Sequence, residues 1–397
     1  MAAYDIVLHG ATGFVGRLVA DYLCRHPEGH RFSWAIAGRN PEKLARIRES
    51  VAARGTEPGV IVTQAADPTS AEAMVADATV VLNVAGPFSE CHGANIVAAC
   101  ALSGTHYADL SGEYWYQRHL IDAFHQKAES TGAKIVLAAG VDSIPSDLGV
   151  QLGIEQLAAK GARASHAKAL FTSYAGSFSG GTRRSGQLRK NIKQSNEYEA
   201  GFHTDPYVLA PGVKRSQDDE TVSGWDSRRF DADFRRFGGS FFMAPINARV
   251  VRRSLAIGGH LPCTYAEGIS TGALLKAAWL WLSRGLGYFV GAPIPMKPEP
   301  GEGPPAWLQR AGNFCVQVHV SNEDRTQSAL VEVRGAGDPG YLATSKMLSE
   351  TGLALLLDEA PPHGGVLTPA TSLGPVLRQR LAKAEEGHFM QFRTLNR

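Results

Sequence analysis

A glycine-rich turn near the amino terminus constrains the fold of this chain more than any other feature. It joins the apolar run Tyr4–His9 to a helix-like run, Phe14–His26, and its glycines follow G-x-x-G-x-x-G spacing: Gly10, Gly13 and Gly16. In such a motif the first glycine permits a tight turn, the second lets the backbone approach a pyrophosphate, and the third lets helix and strand pack closely. The pattern predicts a phosphate-binding helix amino terminus. The competing interpretation of so short a motif is an ordinary strand-to-helix turn.

The end of the second apolar run, Phe32–Ala37, indicates which dinucleotide would fit this loop. A site specific for NAD usually presents an acidic side chain here to the ribose 2′-hydroxyl group. This chain instead presents Arg39, with Lys43 one turn into the next helix. A guanidinium group can hold the 2′-phosphate of NADP in bidentate fashion, with the lysine as a second positive charge. NADP is therefore predicted, against the alternative that both side chains belong to a solvated helix start.

The first 150 residues alternate strand-like and helix-like runs, which is typical of a doubly wound parallel sheet. The strand-like runs include Thr79–Ala85 and Lys134–Ala139. Beyond residue 150 we predict a strand that ends at Tyr174, a loop or lid over Met296–Pro305 and a final helix over Pro369–Leu381 before the tail. In such α/β sheets, ligands bind beyond the carboxyl ends of the strands, at the point where the strand order reverses. Polar and turn residues at those ends are therefore the candidate contacts. Together with the loop, the predicted cofactor-binding residues are Gly10, Thr12, Gly13, Phe14, Val15, Gly16, Arg39, Lys43, Asp67, Asn83, Ala85, Gly86, Pro87, Asp142 and Ser143.

Three of these residues have alternative interpretations. The side chain of Asn83 could cap local backbone groups, since asparagine readily forms such hydrogen bonds. Ser143, with Ser146, could cap the helix predicted over Asp147–Leu157. Asp142 could bind either the cofactor or the substrate.

Reduction of a C=C or C=N bond also requires a proton donor. The nearest residues of a suitable type are Tyr107, Asp109 and Tyr114, which are the predicted catalytic residues, with Glu113 a less favoured choice. A Tyr-x-x-x-Lys pair is absent where short-chain dehydrogenases place it, which argues against a simple member of that class. No spacing of histidine or cysteine residues indicates a metal site.

The composition indicates a globular protein that does not bind nucleic acid. The net charge is only +2, and the five cysteines are scattered, as expected in a reducing compartment. We expect a cytoplasmic protein. The aromatic segment 273–292 is interrupted by charges and glycines, so it does not read as a membrane span. Core or dimer packing is the favoured interpretation, and peripheral contact with lipid is the alternative.

Several motifs together resemble one known family. They are Gly10–Arg17, Ala37–Asn40, Asn83–Phe88, Gly104–Glu113, Asp142–Asp147, Gly180–Thr182, Gly337–Tyr341 and Gly364–Ala370. The chain resembles the saccharopine dehydrogenase-like oxidoreductases and, more narrowly, their trans-acting enoyl reductase branch, nearly from end to end. Two positions depart from the pattern. Val15 stands where the family often has threonine, and Val141 where an aromatic residue is common.

The resemblance implies a Rossmann-type NADP-binding domain over residues 1–150 and a second α/β domain with a mixed sheet over 151–335. Residues 336–397 would form helices that return to the first domain. It also implies NADPH-dependent reduction of a C=C bond in a lipid- or polyketide-type substrate, which a synthase could carry, and it leaves a homodimer open. Two alternatives remain. One is saccharopine-type C=N chemistry on an amino-acid conjugate, with Arg183 and Arg184 as candidate carboxylate ligands. The other is a catalytically silent, membrane-peripheral scaffold that binds NADP.

Overall fold

The apolar runs of the amino-terminal region form a parallel sheet. The computed structural model describes residues 2–176, 180–195, 197–213, 225, 229–273, 275 and 303–395. Within these residues the first sheet has seven strands: β1 (Tyr4–His9), β2 (Trp34–Gly38), β3 (Gly59–Val62), β4 (Ala78–Asn83), β5 (His106–Asp109), β6 (Lys134–Val136) and β13 (Gly365–Leu367). Their order is β13-β6-β5-β4-β1-β2-β3, and every pair is parallel. The order reverses between β1 and β4, which makes this the switch point.

Helices cover both faces of this sheet, which explains why its central strands are almost continuously apolar. Ile6 and Leu8 of β1 belong to one buried cluster, whereas Val7 belongs to another on the opposite face. The helices of this region are α1 (Phe14–Cys24), α2 (Pro41–Ala52), α3 (Pro68–Ala76), α4 (Gly93–Ser103), α5 (Tyr114–Thr131) and α6 (Ile144–Ala158).

A second sheet is mixed, as predicted. In the described part of the chain it contains β7 (His166–Ala175), β8 (Arg229–Asp231), β9 (Arg236–Ser240), β10 (Thr264–Ser270), β11 (Asn313–Ser321), β12 (Ser328–Ala336) and β14 (Met390–Leu395). The order is β14-β12-β11-β7-β10-β9-β8, with β7 and β10 parallel and the other pairs antiparallel. The predicted α/β fold with a Rossmann-type sheet and a mixed sheet is confirmed.

Helix α6 joins the two sheets and packs closely on the second one. A β-carbon at Gly149 would lie 2.9 Å from Val318, and one at Gly153 would lie 2.5 Å from Val320. The two glycines therefore let the helix backbone approach strand β11. The same sheet also packs against α8 (Ala244–Ile257), which contacts β10. Helix α7 (Gly180–Gln194) lies between β7 and β8 in the sequence.

The carboxyl-terminal residues contribute to both sheets. Helix α10 (Leu342–Leu357) follows α9 (Ala306–Ala311), packs against α1 and covers β4. The prediction of one helix over Pro369–Leu381 followed by a tail was wrong. Two helices, α11 (Pro369–Ser372) and α12 (Pro375–Lys383), are separated at Gly374, whose φ of +47° breaks the helix, and β14 follows them. The division at residues 150 and 335 remains a prediction.

The aromatic segment 273–292 and the loop proposed over 296–305 fall mainly outside the described residues. Within the described residues, no helix is long and apolar enough to cross a membrane.

Candidate functional site

The glycine loop has the geometry that a dinucleotide-binding turn requires. Gly10 has a φ of +87°, and a β-carbon there would lie 2.8 Å from the backbone nitrogen of Ala85. A β-carbon at Gly16 would lie 2.3 Å from the carbonyl oxygen of Gly10. Gly10 therefore allows both the turn and the approach of the chain after β4, and Gly16 brings α1 against the loop.

The amino terminus of α1 is free to bind an anion. Gly13 occupies the N-cap position, and no side chain caps the helix or places an acidic group in its first turn. The first-turn N–H groups and the positive end of the helix dipole are the features that bind a pyrophosphate. Thr12 and Val15, which flank this turn, are half-buried. The loop thus forms a cradle for NADP phosphates, and β-carbons at Gly10 and Gly16 would collide with the backbone that shapes it.

Arg39 and Lys43 lie at the carboxyl end of β2, which pairs directly with β1. Both side chains are exposed, and neither forms an ion pair with a described acidic residue. The backbone N–H of Lys43 donates to Oδ1 of Asn40 at 2.9 Å, which caps α2. The two cations remain available for a 2′-phosphate. Asp67 lies beyond the edge strand β3, two strands from β1, and its carboxylate caps α3 by accepting from Thr69.

Asn83 holds the end of β4 through three contacts. Its Oδ1 accepts from the backbone N–H of Ala85 at 3.0 Å and lies 2.9 Å from Nδ1 of His9. Its Nδ2 donates to the hydroxyl of Tyr107 at 3.0 Å. Local capping by Asn83 is therefore real. It also links the chain after β4 to the end of β1, where the glycine loop begins.

Glu113 fixes the next turn, which contains the cis peptide bond Gly86–Pro87. Its carboxylate accepts from the backbone N–H groups of Phe88 (2.9 Å) and Ser89 (3.0 Å) and from the hydroxyl of Ser89 (2.5 Å). Glu113 is buried, so these bonds set the turn that borders the switch point. The sequence marked this residue only as a less favoured proton donor, because its burial and its partners 24 and 25 residues earlier are set by the fold.

Tyr107 and Asp109 form an internal relay. The Tyr107 hydroxyl donates to Oδ2 of Asp109 at 3.0 Å, and Oδ1 of Asp109 accepts from both donors of Ser111 and from the N–H of Ala138. Both side chains are fully buried. Burial raises the pKa of Asp109 to about 6 and raises the pKa of Tyr107 well above its usual value. The relay ties the ends of β4, β5 and β6 together, and the predicted proton-donor role of these residues stays a prediction.

Tyr114 contacts residues from the second half of the chain. Its hydroxyl lies 2.7 Å from Nδ1 of His203, and the guanidinium of Arg249 lies 4.0 Å from the centre of its ring. Burial raises the pKa of this tyrosine. These partners belong to the segment after α7 and to α8, so Tyr114 joins the start of α5 to the second half of the chain.

The loop after β6 contributes Asp142 and Ser143. The strand ends sooner than predicted because Ala138 adopts a φ of +56°. The Ser143 hydroxyl donates to the carbonyl of Ala138 at 2.5 Å, and Ser146 donates to Glu267, so the prediction that these serines cap α6 was wrong. Helix α6 instead begins at Ile144, three residues before the predicted start.

Asp142 is half-buried, and within the described chain its carboxylate has no hydrogen-bond or ion-pair partner. Burial raises its pKa to about 6. Both Asp142 and Ile246 lie next to Gly112: a β-carbon there would be 3.5 Å from Oδ2 of Asp142 and 3.2 Å from Cδ1 of Ile246. Asp142 is therefore an acidic group between the cofactor sheet and α8.

An aromatic wall, which the sequence analysis did not identify as part of the site, lies at the end of β7. The ring centre of Tyr174 lies 5.2 Å from that of Phe241, 5.8 Å from that of Phe242 and 5.9 Å from that of Phe171. Phe241 and Phe242 lie three and two residues before α8, which carries Ile246. The wall is therefore next to the start of the helix that carries the residue beside Asp142.

The turn before α10 connects this wall to the glycine loop. A β-carbon at Gly176 would lie 2.7 Å from Pro339, and the ring of Tyr341 packs edge-on against Phe14 with centres 5.2 Å apart. Phe14, the first residue of α1, also lies beside Gly303. The phosphate cradle and the aromatic wall are thus parts of one continuous arrangement.

In the described ranges, no group of three or more His, Cys, Asp or Glu side chains is placed to hold a metal ion.

Comparison with known proteins agrees with this geometry. The model of the saccharopine dehydrogenase NADP-binding domain matches residues 6–136. A trans-acting enoyl reductase of Mycobacterium tuberculosis (strain H37Rv) is 34% identical over 96% of each chain, and one of Mycobacterium ulcerans is 31% identical over 95% of each. A second M. tuberculosis protein named for the same activity is 35% identical over 96% of each chain.

Among solved structures, apo saccharopine dehydrogenase (L-Glu forming) from Saccharomyces cerevisiae covers 99% of this chain and all of its own, with a TM-score of 0.54 and 12% identity. At that identity the likeness concerns the fold alone. NADP is the cofactor that the matched domain binds, in agreement with Arg39 in place of an acidic residue. The relatives' identity over nearly the whole chain shows that this protein belongs to the trans-acting enoyl reductase family and is an NADP-dependent oxidoreductase with a saccharopine dehydrogenase-like fold.

Proposed function

We propose that this protein reduces a carbon–carbon double bond in a lipid- or polyketide-type substrate while a synthase carries that substrate. The observation that carries the proposal is the aromatic wall around Tyr174, which precedes the helix that carries Ile246, a neighbour of Gly112 as Asp142 is. An apolar wall with few polar groups suits an acyl chain. The printed names of the curated relatives support the same reaction.

Some of these residues would bind the cofactor, and others hold the turn beside it in place. The amino terminus of α1 would bind the pyrophosphate, and Arg39 with Lys43 would bind the 2′-phosphate. Asn83 and Glu113 hold the chain after β4 in place beside the glycine loop. Bound NADPH supplies the hydride, so the protein's tasks are orientation and proton delivery.

Saccharopine-type chemistry finds less support in the described residues. Binding the α-carboxylates of an amino-acid conjugate would require arginines aimed into one pocket. Arg184 is exposed and pairs with Glu90. Arg249 and Arg253 are buried, and both donate to backbone carbonyl groups. The side chain of Arg183 lies outside the described residues.

The test is a substrate panel monitored by loss of NADPH absorbance. It should contain 2-enoyl thioesters of increasing acyl length, each offered on coenzyme A and on an acyl carrier protein, and an α-keto acid mixed with an amino acid. We expect turnover of the longer enoyl thioesters with NADPH, faster on the carrier. Turnover of the keto acid mixture alone would contradict the proposal in favour of imine reduction. NADPH binding and liposome partitioning without any turnover would favour the scaffold alternative.

A further inference from the structure

Tyr174 presents a hydroxyl group that the fold itself does not use. It is the penultimate residue of β7, a central strand of the second sheet, and its side chain is only half-buried. Its ring is held by three phenylalanines, Phe171, Phe241 and Phe242. Within the described residues its hydroxyl has no hydrogen-bond partner. A fixed aromatic ring with an unused hydroxyl is unusual, because tyrosine hydroxyls in partly buried sites usually find partners.

The surroundings of Tyr174 keep its phenol protonated. Burial is the main reason that its pKa lies well above the usual value, and the nearby acidic groups of Asp142, Asp338, Tyr341 and Glu267 raise it further. The phenol is therefore neutral at physiological pH and carries a proton. Because a raised pKa by itself makes a phenol a weaker acid, the donor role rests on the position of its unbonded hydroxyl. The buried tyrosine of the relay, Tyr107, is also neutral, but its hydroxyl is already bonded to Asn83 and Asp109.

One of the nearby carboxyl groups is free to exchange protons. Glu267 accepts from Ser146, Asn247 and Tyr265, and Asp338 accepts from the backbone N–H of Gly340. Asp142 has no such partner in the described chain, and it is also half-buried. Its Oδ2 lies beside Gly112, as does Ile246, and Ile246 belongs to the helix that follows Phe241 and Phe242, two of the rings that hold Tyr174. Asp142 is therefore the carboxyl group suited to pass protons between solvent and the phenol.

We propose that Tyr174 is the proton donor of the reduction and that Asp142 relays its replacement proton. This inference rests on the proposed function. Bound NADPH would supply the hydride for the new C–H bond at the β-carbon and so become NADP⁺, and the electron pair of the double bond would move towards the thioester carbonyl. The α-carbon would then take the phenolic proton of Tyr174. The phenolate regains its proton from water through Asp142, so that one hydride and one proton are added in each cycle.

Tyr174→Phe tests the donor role while preserving the ring. Tyr4→Phe is the matched control, since it also removes one hydroxyl but lies at the amino end of β1, away from the site. We expect Tyr174→Phe to lower the single-turnover rate of enoyl reduction about 100-fold or more, because general acid catalysis typically contributes ~10²- to 10⁴-fold. Its NADPH affinity and thermal unfolding should match those of the wild type and of Tyr4→Phe.

The relay role has a separate test in Asp142→Asn. The first turnover should proceed within about threefold of the wild-type rate, because the phenol starts protonated, and the steady-state rate should fall about tenfold or more. The wild type should show no such burst.

The outcomes separate this inference from the proposed function. If the wild type reduces no enoyl thioester, the proposed function fails first. If the wild type is active and Tyr174→Phe retains its single-turnover rate, the donor assignment is wrong. If Tyr174→Phe loses NADPH affinity or unfolds at a lower temperature than the wild type, Tyr174 has a structural role and the donor assignment is wrong. If Asp142→Asn lowers the first-turnover rate and the steady-state rate equally, or lowers neither, Asp142 does not pass protons to Tyr174.

Discussion

Gly16→Ala is the substitution whose effect follows most directly from the geometry of the cofactor loop. The added β-carbon would lie 2.3 Å from the carbonyl oxygen of Gly10 and 2.7 Å from the α-carbon of Ala11. Real β-carbons essentially never approach another heavy atom within 3.0 Å. Both contacts are backbone atoms, so neither can rotate away. Helix α1 must therefore move from the loop by about 0.7 Å, an overpacking that typically costs about 1–3 kcal/mol.

Two measurements check this prediction. Urea denaturation should show a free energy of unfolding lower by about 1–3 kcal/mol. Fluorescence titration should show NADPH affinity reduced about tenfold or more, because charge-assisted hydrogen bonds worth about 1.5–3 kcal/mol depend on the position of the first turn of α1. Gly272→Ala is the control, since a β-carbon there meets nothing within 4 Å and should cause neither loss. Wild-type stability and NADPH affinity in Gly16→Ala would refute the assignment of this loop as the phosphate site.

Three further predictions follow from other parts of the site. Arg39→Glu should lower NADPH affinity about tenfold or more, because charge-assisted hydrogen bonds are lost and the new carboxylate repels the 2′-phosphate. Its NADH affinity should be nearly unchanged. An equal loss of affinity for both cofactors in parallel titrations would contradict the 2′-phosphate contact. Glu113→Ala removes the acceptor for the N–H groups of Phe88 and Ser89, so the free energy of unfolding should fall by about 1–3 kcal/mol and NADPH and NADH should both bind more weakly. The control is Glu72→Ala, at an exposed position. Equal results for the two variants would show that the Glu113 carboxylate is not needed to hold the turn. Asp142 has a folded-state pKa of about 6 against a usual value of 3.8. In the wild type this group therefore lowers the free energy of unfolding as the pH rises between these two values. The free energy of unfolding of Asp142→Asn, measured in urea, should rise by about 1–3 kcal/mol relative to that of the wild type between about pH 4 and about pH 7, and parallel pH profiles would show that the pKa of this carboxyl is not raised.

The sequence was most informative where one short segment determines its own structure. The residues around Gly10 set a strand, a turn and a helix start without distant partners, and the structure has all three. Strands with two covered faces are recognisable as continuous apolar runs, which is why β1, β2 and β4 were predicted within three residues at each end. Arg39 at the end of β2 likewise needs only its position along the chain to indicate NADP.

Pairing between distant segments was much harder to predict. Strand β13 has only three residues, and it is stable because it pairs with β6, more than 200 residues earlier. Strand β14 similarly pairs with β12 at the edge of the mixed sheet. Neither segment has a pattern that differs from a loop or a helix end, because tertiary pairing determines its conformation. The break at Gly374 was the available signal, since glycine followed by proline often ends a helix.

The candidate site shows the same division. The sequence identified Tyr107 and Asp109 by residue type, but it could not show that their polar groups are bonded to one another inside the sheet. Tyr174 was noted only as the end of a strand. Its importance depends on Phe241, more than sixty residues later, and on Asp142, in a different part of the fold. Residue type can nominate a proton donor, whereas only the three-dimensional arrangement shows which hydroxyl remains unused.

Transfer of deuterium from NADPH that carries deuterium at both C4 positions tests the proposed reduction most directly. The purified protein is incubated with the labelled cofactor and the substrate panel, and the products are examined by mass spectrometry. We predict a saturated acyl product with one deuterium at the β-carbon, formed by the wild type with NADPH and much more slowly with NADH. Deuterium in an amine product, or in no product while NADPH still binds, would contradict the reduction of a carbon–carbon double bond.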